Sequence, residues 1–419
     1  MEAKITPITE AKKNRKQTGR SKNIYNDIKD YFSDKYEFRF NVVSFDHEYR
    51  FISNDNWIKI DDSSENDLIL ELNDIGIEAT NTHLSTVIKS SYSSQFNPIK
   101  DYFDNLPVLS DNETILEKFY EFITGKKSDS DEFKQLESWF CFQASISMGY
   151  EPTGLYCLCF YGKQGTGKTS LFKHLTPPLL NDYSKDNFTD YESKDSKLEI
   201  SDNFLILLDE LGQSSKHELT KLKSLITQKQ VKERRPYSRR PVVTPRRAGF
   251  IGTFDTKEIF SDSAGNRRFI VIEIKKINWR EINVFSANKI WASAKRRVLN
   301  GQYNKDIDNL NSESAKGFEK QSGEFDLLTK WTSSSTEKID FHTATEIKNH
   351  ILRMESGEYN KNDNEDETVR RSIKINDRFL GDALRKIYDR VTRKRNGYSV
   401  YGYQCSLNET KNESDEDVF

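Results

Sequence analysis

Long apolar runs are missing from this chain of 419 residues. Its longest apolar segments, Leu155–Tyr161 and Phe204–Leu208, have the length of buried strands and fall well short of the roughly 20 residues that span a membrane. The stretch Met1–Arg20 is polar and basic and lacks the apolar centre of a secretory leader. Cysteine is scarce, with four in the chain, and Cys157 and Cys159 have no second Cys/His pair spaced to complete a zinc site. A disulfide framework and a structural zinc are thereby excluded, and a reducing, cytoplasmic setting without membrane contact is expected. Neither sign of charge is in excess: 64 Lys and Arg stand against 66 Asp and Glu, for a net charge of −2. That balance argues against a general coat for nucleic acid. No fixed-period repeat is visible.

Charge is present but unevenly placed. Basic residues cluster at Lys12–Lys22, Lys229–Arg247 and Arg390–Arg395, while acid gathers in Asn360–Glu367 and Glu409–Asp417. Concentrated basic patches in a neutral chain point to a localised anionic partner. Composition and periodicity divide the chain into a disordered basic tail (1–22), a small N-terminal α+β or mostly helical domain (23–110) and a helical segment (111–153). An α/β domain with alternating strand and helix patterns (154–303), a linker (304–323), a third module (324–405) and an acidic tail (406–419) follow. In the first domain Tyr36–Phe40 alternates as a half-buried strand and Glu48–Ile52 is its expected partner. Asn97-Pro98 and Leu106-Pro107 read as punctuation between helical patterns.

The α/β domain carries the chemistry. Gly162-Lys163-Gln164-Gly165-Thr166-Gly167-Lys168-Thr169 satisfies G-x-x-x-x-G-K-[ST] in full, with an apolar strand before it and a helical pattern from Ser170 after it. Glycines let successive N–H groups turn inward on phosphate, and the helix N-terminus adds partial positive charge. The pattern predicts ATP as ligand, with Lys168 on the β- and γ-phosphates and the Thr169 hydroxyl on Mg²⁺. Phe204–Leu208 delivers Asp209 and Glu210 at the end of a buried strand, where Asp209 is expected to hold the metal and Glu210 to polarise the attacking water. The next strand, Gly249–Thr253, ends at Gly252-Thr253-Phe254-Asp255, where a polar side chain senses the γ-phosphate. Gly265-Asn266-Arg267-Arg268-Phe269 offers either an arginine for charge on the transferring phosphoryl group, often supplied across a subunit boundary, or a pair of surface arginines in a turn.

Two segments suit nucleic acid. The run through Lys232, Arg234, Arg235, Tyr237, Arg239, Arg240, Arg246 and Arg247 contains prolines and alternates in character, which predicts a protruding loop or hairpin. Positive charge with Tyr237 as a stacking group fits single-stranded DNA, although Arg246 and Arg247 also suit a neighbour's nucleotide. In the last module two helical patterns, Ala344–Met354 and Asn376–Tyr388, precede a strand–turn–strand with Arg393, Lys394 and Arg395 beside an Asn396-Gly397 turn. Two helices and a basic hairpin are similar to a winged helix, and equally to a helical cap with a charged hairpin.

Gly162–Thr169, Asp209-Glu210, Arg235-Pro236-Tyr237, Pro245-Arg246-Arg247, Gly252-Thr253 and Gly265–Phe269 together resemble the virulence-associated protein E family, over roughly Asn97 to Gly301. The resemblance implies a superfamily 3-like AAA+ ATPase of phages and mobile elements. It further implies a hexameric ring acting as a helicase on single-stranded or forked DNA, Arg267 or Arg268 as a finger in trans, and Asp255 at the sensor position, where asparagine is common. Family members usually work with a primase. Ile24–Pro107 is too short for one and lacks clustered metal-binding acids, so a primase would be supplied separately. Two other functions use the same residues: a regulatory or antiphage-defence ATPase that binds nucleic acid without unwinding it, and DNA or origin recognition with ATP controlling assembly.

Overall fold

The computed structural model describes residues 23–404 apart from 111, 187, 189, 236–239, 258, 261–265, 319–322, 335–340, 356–373 and 396–397. The two expected tails lie outside the described residues. Met1–Asp255 with Arg267–Ser314 forms one compact unit, and Thr256–Asn266 with Ala315–Phe419 forms another. No helix among the described residues is long and apolar enough to cross a membrane.

The first unit begins with a small α+β layer. Helix α1 (Ile24–Ser33) leads into β1 (Tyr36–Asn41) and β2 (His47–Phe51), followed by β3 (Ile58–Lys59), α2 (Asp62–Asp74), α3 (Asn81–Ile88) and β4 (Ser94–Phe96). The sheet order is β3-β2-β1-β4, with β1 antiparallel to β2 and parallel to β4. Ile28, Phe32, Tyr36, Phe38, Leu68 and Leu72 form its core. Asn97-Pro98 starts a helix here: the Asn97 side chain accepts from the amides of Ile99 and Lys100, and Pro98 opens α4 (Pro98–Asp104). Phe103 of α4 packs in the core of the central sheet, so the first domain's own core ends near β4, short of the expected boundary at 110.

Helices α5 (Ile115–Thr124) and α6 (Asp131–Ser147) lead to β5 (Cys157–Tyr161), α7 (Lys168–Leu175), β6 (Ser184–Lys185), α8 (Lys194–Asp202) and β7 (Leu205–Leu208). Then come α9 (Lys216–Ile226), the hairpin β8 (Gln230–Glu233) and β9 (Val242–Pro245), β10 (Gly249–Phe254), β11 (Phe269–Glu273) and α10 (Ala287–Asn300). Five strands make a parallel sheet in the order β11-β5-β10-β7-β6. Strands β5, β7, β10 and β11 are buried and largely apolar, as strands covered on both faces are, whereas the edge strand β6 is polar and half-buried. Trp291 of α10 fixes one helical layer: it is fully buried, meets Phe103, Phe140 and Phe204 edge-on, and donates its indole N–H to Leu175 O at 2.8 Å. The expected linker is corrected by α11 (Asp308–Lys316), where Ile307 and Asn311 are buried and Asn311 accepts from Gln135 Nε2 at 2.8 Å. The polar helix gives no apolar periodicity because a buried hydrogen bond does the anchoring.

In the second unit α12 (Gly323–Ser334), α13 (Ala344–Glu355) and α14 (Asp377–Ile387) pack through Leu328, Trp331, Ile347, Ile351, Leu380 and Leu384. An antiparallel hairpin of β12 (Asp389–Arg395) and β13 (Tyr398–Gln404) joins them through Tyr403. The amides of Ile259 and Phe260 both donate to Phe318 O.

Gly252 sets how closely the site can assemble. A Cβ there would overlap Leu211 Cδ1 and lie 3.0 Å from Cys159 Sγ. Gly252→Ala is therefore expected to destabilise the first unit by about 1–3 kcal/mol, as overpacked cores do. Urea unfolding followed by tryptophan fluorescence measures this, and an unchanged midpoint would mean that Leu211 swings aside without cost.

Candidate functional site

The glycine loop connects β5 to α7. Gly165 (φ 79°) and Gly167 (φ 100°) occupy the left-handed region, which an L side chain avoids. At Gly167 there is also no room, since a Cβ would stand 2.7 Å from Trp279 Cζ2. The loop is tied on its outer side, where Ile277 N donates to Thr166 O at 3.2 Å. Lys168 Nζ donates to Gly162 O (2.6 Å) and Lys163 O (3.1 Å), so the ammonium group is held over the loop's own carbonyls. Burial pushes its pKa below the usual lysine value, while Asp255 and Asp209 pull it back up.

The strand order brings the acids to this loop. β10 lies between β5 and β7, with Phe254 opposite Tyr161 and Gly252 opposite Leu208, so the carboxyl ends of all three strands reach one edge. Thr169 Oγ1 lies 3.3 and 3.4 Å from the two Asp209 oxygens. The Thr253 hydroxyl donates to Asp209 Oδ1 and accepts from Glu210 N at 3.2 Å. Glu210 takes a left-handed backbone (φ 54°) that reverses the chain at once after the strand, and Gln213 Nε2 donates to its Oε2 at 2.8 Å. Gln164, Gly165, Gly167, Lys168, Thr169, Ser170, Asp209, Glu210, Thr253 and Asp255 share a cleft of about 360 Å³. Gly162, Lys163 and Thr166 support the loop from behind through the contacts above. Neither Gln213 nor Trp279 belongs to a motif, and only the fold reveals them.

Arg267 and Arg268 lie elsewhere. They form a single turn before β11, whose first residue pairs with Cys157 at the start of β5. The glycine loop follows Tyr161 at the other end of that strand, about 13 Å away at ~3.3 Å per residue. Arg267 has a side chain 55% exposed, with Nε 3.5 Å from Asp308 Oδ2.

The basic run forms the β8–β9 hairpin, with Gln230 opposite Pro245 and Glu233 opposite Val242. Lys232, Arg234 and Arg240 are exposed, while Tyr237 and Arg239 lie outside the described residues. Three other arginines expected on DNA are buried. Arg246 donates to Ala248 O (2.8 Å) and to Ile226 O, the last carbonyl of α9. Arg247 donates to Ser201 O (2.6 Å) at the end of α8 and to Val42 O (3.2 Å). Arg235 pairs with Asp202 and stacks on Phe45 with 3.6 Å from its carbon to the ring centre. Helix C-termini leave carbonyls without partners, and the guanidinium groups of Arg246 and Arg247 satisfy one at each of two helix ends. Burial pulls the pKa of Arg246 and of Arg247 down to about 10. None of the three is placed to meet DNA or a nucleotide.

In the second unit the three hairpin cations Arg393, Lys394 and Arg395 are all exposed. Arg393 and Arg395 each stand 5.2 Å from the Phe341 ring centre, and Arg395 donates to Glu346 Oε1 at 2.6 Å. The Thr343 amide and Arg395 bring the Glu346 pKa down to about 2.

Arg246→Ala leaves two carbonyls without their donor and opens a cavity over Phe250. It is expected to cost about 3 kcal/mol, whereas Arg240→Ala stays within roughly 0.5 kcal/mol of wild type. Thermal unfolding of both variants tests the assignment of Arg246 to the interior.

No curated protein matches the chain. Among solved structures, the apo structure of the NrS-1 C-terminal region (305–718) is similar with a TM-score of 0.51 at 13% identity, covering 92% of this chain and 100% of that one. An A-form apo structure of the same region aligns with a TM-score of 0.49 at 15% identity, covering 91% and 98%. At such identity the likeness concerns the mixed α/β fold with its parallel sheet. The virulence-associated protein E-like domain matches residues 106–326, a span that takes in the glycine loop, the acidic strand end, the basic hairpin and the paired arginines. This match covers more than half of the sequence, and the chain belongs to the virulence-associated protein E-like family.

Proposed function

We propose that the protein is a P-loop ATPase of the AAA+, superfamily 3-like type that drives a helicase reaction on DNA during replication of a phage or other mobile element. The observation that carries this reading is the chain Thr169–Asp209–Thr253–Glu210 beside Lys168, at the carboxyl edge of a parallel sheet. Open α/β sheets bind their ligands at that edge.

The residues fit ATP and Mg²⁺. Thr169 and Asp209 offer a hydroxyl and a carboxylate within 3.4 Å of each other, the hard oxygen donors that magnesium takes. Among the described residues no group of three His, Cys, Asp or Glu side chains can hold a metal alone, so phosphate oxygens and water complete the set. When bound, the ion neutralises charge developing on the phosphates. Lys168 exchanges two loop carbonyls for phosphate oxygens, at little cost because its positive charge is already only partly solvated. Glu210 accepts a proton from the attacking water, and Gln213 orients it.

Arg267 and Arg268 are at the wrong end of β5 to serve their own cleft, which supports a finger donated to a neighbour in a hexameric ring. The exposed hairpin cations Lys232, Arg234 and Arg240 supply the contact with single-stranded or forked DNA, and Tyr237 and Arg239, which lie outside the described residues, are the further candidates from the sequence. The winged-helix-like second unit supplies another through Lys394. A separate primase and a cytoplasmic setting complete the proposal. Asp255 favours a second reading: a carboxylate in the same cleft as Lys168 weakens the field on the γ-phosphate, which suits a switch that binds ATP and turns it over slowly.

Strand displacement on a forked duplex with ATP and magnesium is the direct test. Lys168→Ala is expected to lower ATP turnover at least about a hundredfold and abolish displacement. Turnover without displacement by the wild type would leave the switch.

The Arg267 and Arg268 variants test the ring. Each Arg→Ala variant is expected to bind ATP normally, and the variant that removes the finger to hydrolyse it about a hundredfold more slowly. Mixing that variant with Lys168→Ala before assembly should restore part of the activity, because some interfaces then carry both intact groups. No rescue, in a preparation that exchanges subunits, removes the trans finger.

A further inference from the structure

The cleft accounts for phosphates and metal but offers no plane for a base. Its described aromatic, Phe254, is buried to 2% exposure in the core. Trp279 is different. It is 39% exposed, follows the strand that flanks the glycine loop, and lays the Cζ2–Nε1 edge of its indole over Gly167. We infer that Trp279 is the platform on which the purine base of the bound nucleotide stacks, a role that rests on the ATP site proposed above.

Backbone bonds hold the residue where a base would leave the loop. Ile274 N donates to Tyr161 O (2.8 Å) and Ile277 N to Thr166 O (3.2 Å), so 274–279 runs beside the loop as a fixed strap. Asn278 O then accepts from the amides of Glu281 and Ile282, and its side chain accepts from Arg280 N, closing a tight turn around Trp279. On the helix side His174 meets the indole edge-on, with ring centres 6.4 Å apart at 69°. His174 is itself held by Phe285 O, 2.7 Å from its Nε2. It lies one helical turn after Ser170, on the same face of α7.

Phosphates bound along the loop run from Lys168 toward the amides of Thr169 and Ser170 at the start of α7. The nucleoside departs from that end, beside the Gly167–Trp279 contact and the turn that carries His174. A tryptophan left two-fifths exposed against a rigid loop keeps apolar surface in water, and a stacked purine covers it. Every base has a π-face, so this platform selects for a base without strong choice between adenine and guanine.

Calorimetric titration of the full chain with magnesium-ATP and with magnesium tripolyphosphate tests the role. Glu210→Gln serves as the background to slow turnover. Stacking of one base is worth about 1–3 kcal/mol, so Trp279→Ala is expected to weaken ATP at least about fivefold and to leave tripolyphosphate within roughly twofold. Trp279→Phe keeps a ring and is expected to retain most of the ATP affinity. Equal losses for ATP and tripolyphosphate would make Trp279 a support for the loop and overturn the stacking role, as would undiminished ATP affinity in Trp279→Ala. If the Trp279-intact protein binds neither ligand, the nucleotide site itself fails and the platform with it.

Discussion

The hydroxyl of Thr253 holds the candidate site in one piece. It donates to Asp209 and accepts from the amide of Glu210, so one small side chain on β10 fixes both acids that end β7. This is possible because β10 runs between β7 and the strand that carries the glycine loop. It also needs Gly252, since the turn after Glu210 presses Leu211 against a backbone that has no Cβ. A charge-assisted hydrogen bond is worth more than a neutral one, and this one is half-buried. The arrangement therefore fixes the positions of Asp209 and Glu210 through the chain's own contacts.

A parallel sheet has two unlike ends, and this chain places charged side chains at both. Loops at the carboxyl end converge on Lys168, Thr169, Asp209, Glu210 and Asp255. The amino end of β11 carries Arg267, anchored through its carbonyl to Asn311 Nδ2 at 3.0 Å and through its side chain to Asp308. Asp308 in turn accepts from Tyr156 OH at 2.9 Å. The strand length separates the two groups within one chain, whereas loop length or side-chain motion would have to cross the whole sheet to join them. An arginine fixed at that end is presented outward.

The glycine loop, the central strands and the first hairpin are legible because each depends on local pattern. The loop needs Gly165 and Gly167 at positive φ, and the strands need unbroken apolar runs to be buried on two faces. What sequence alone does not reveal depends on distant partners. Asn97-Pro98 is a turn signal and a helix start at once, and only the core beneath Phe103 decides between them. The segment around Asn311 reads as a linker because its anchor is a polar side chain meeting Gln135. Trp279 acquires meaning only where it meets Gly167, more than a hundred positions earlier in the chain.

The basic run from Lys229 to Arg247 shows why charge in a sequence is a poor guide to exposure. Its arginines have identical chemistry but opposite fates, decided by which carbonyls lie within reach. Arg246 and Arg247 meet the ends of α9 and α8, where carbonyls have no helical donors. Arg235 spans Asp202 and the ring of Phe45, a residue held at φ 62° in the turn of the first sheet. These three convert a flexible loop into a hairpin rooted in two helices and the N-terminal sheet. Without that root, Lys232, Arg234 and Arg240 would sit on a loop free to sample many conformations. With it, the base of the hairpin is ordered in advance, and the exposed cations are presented from a fixed frame.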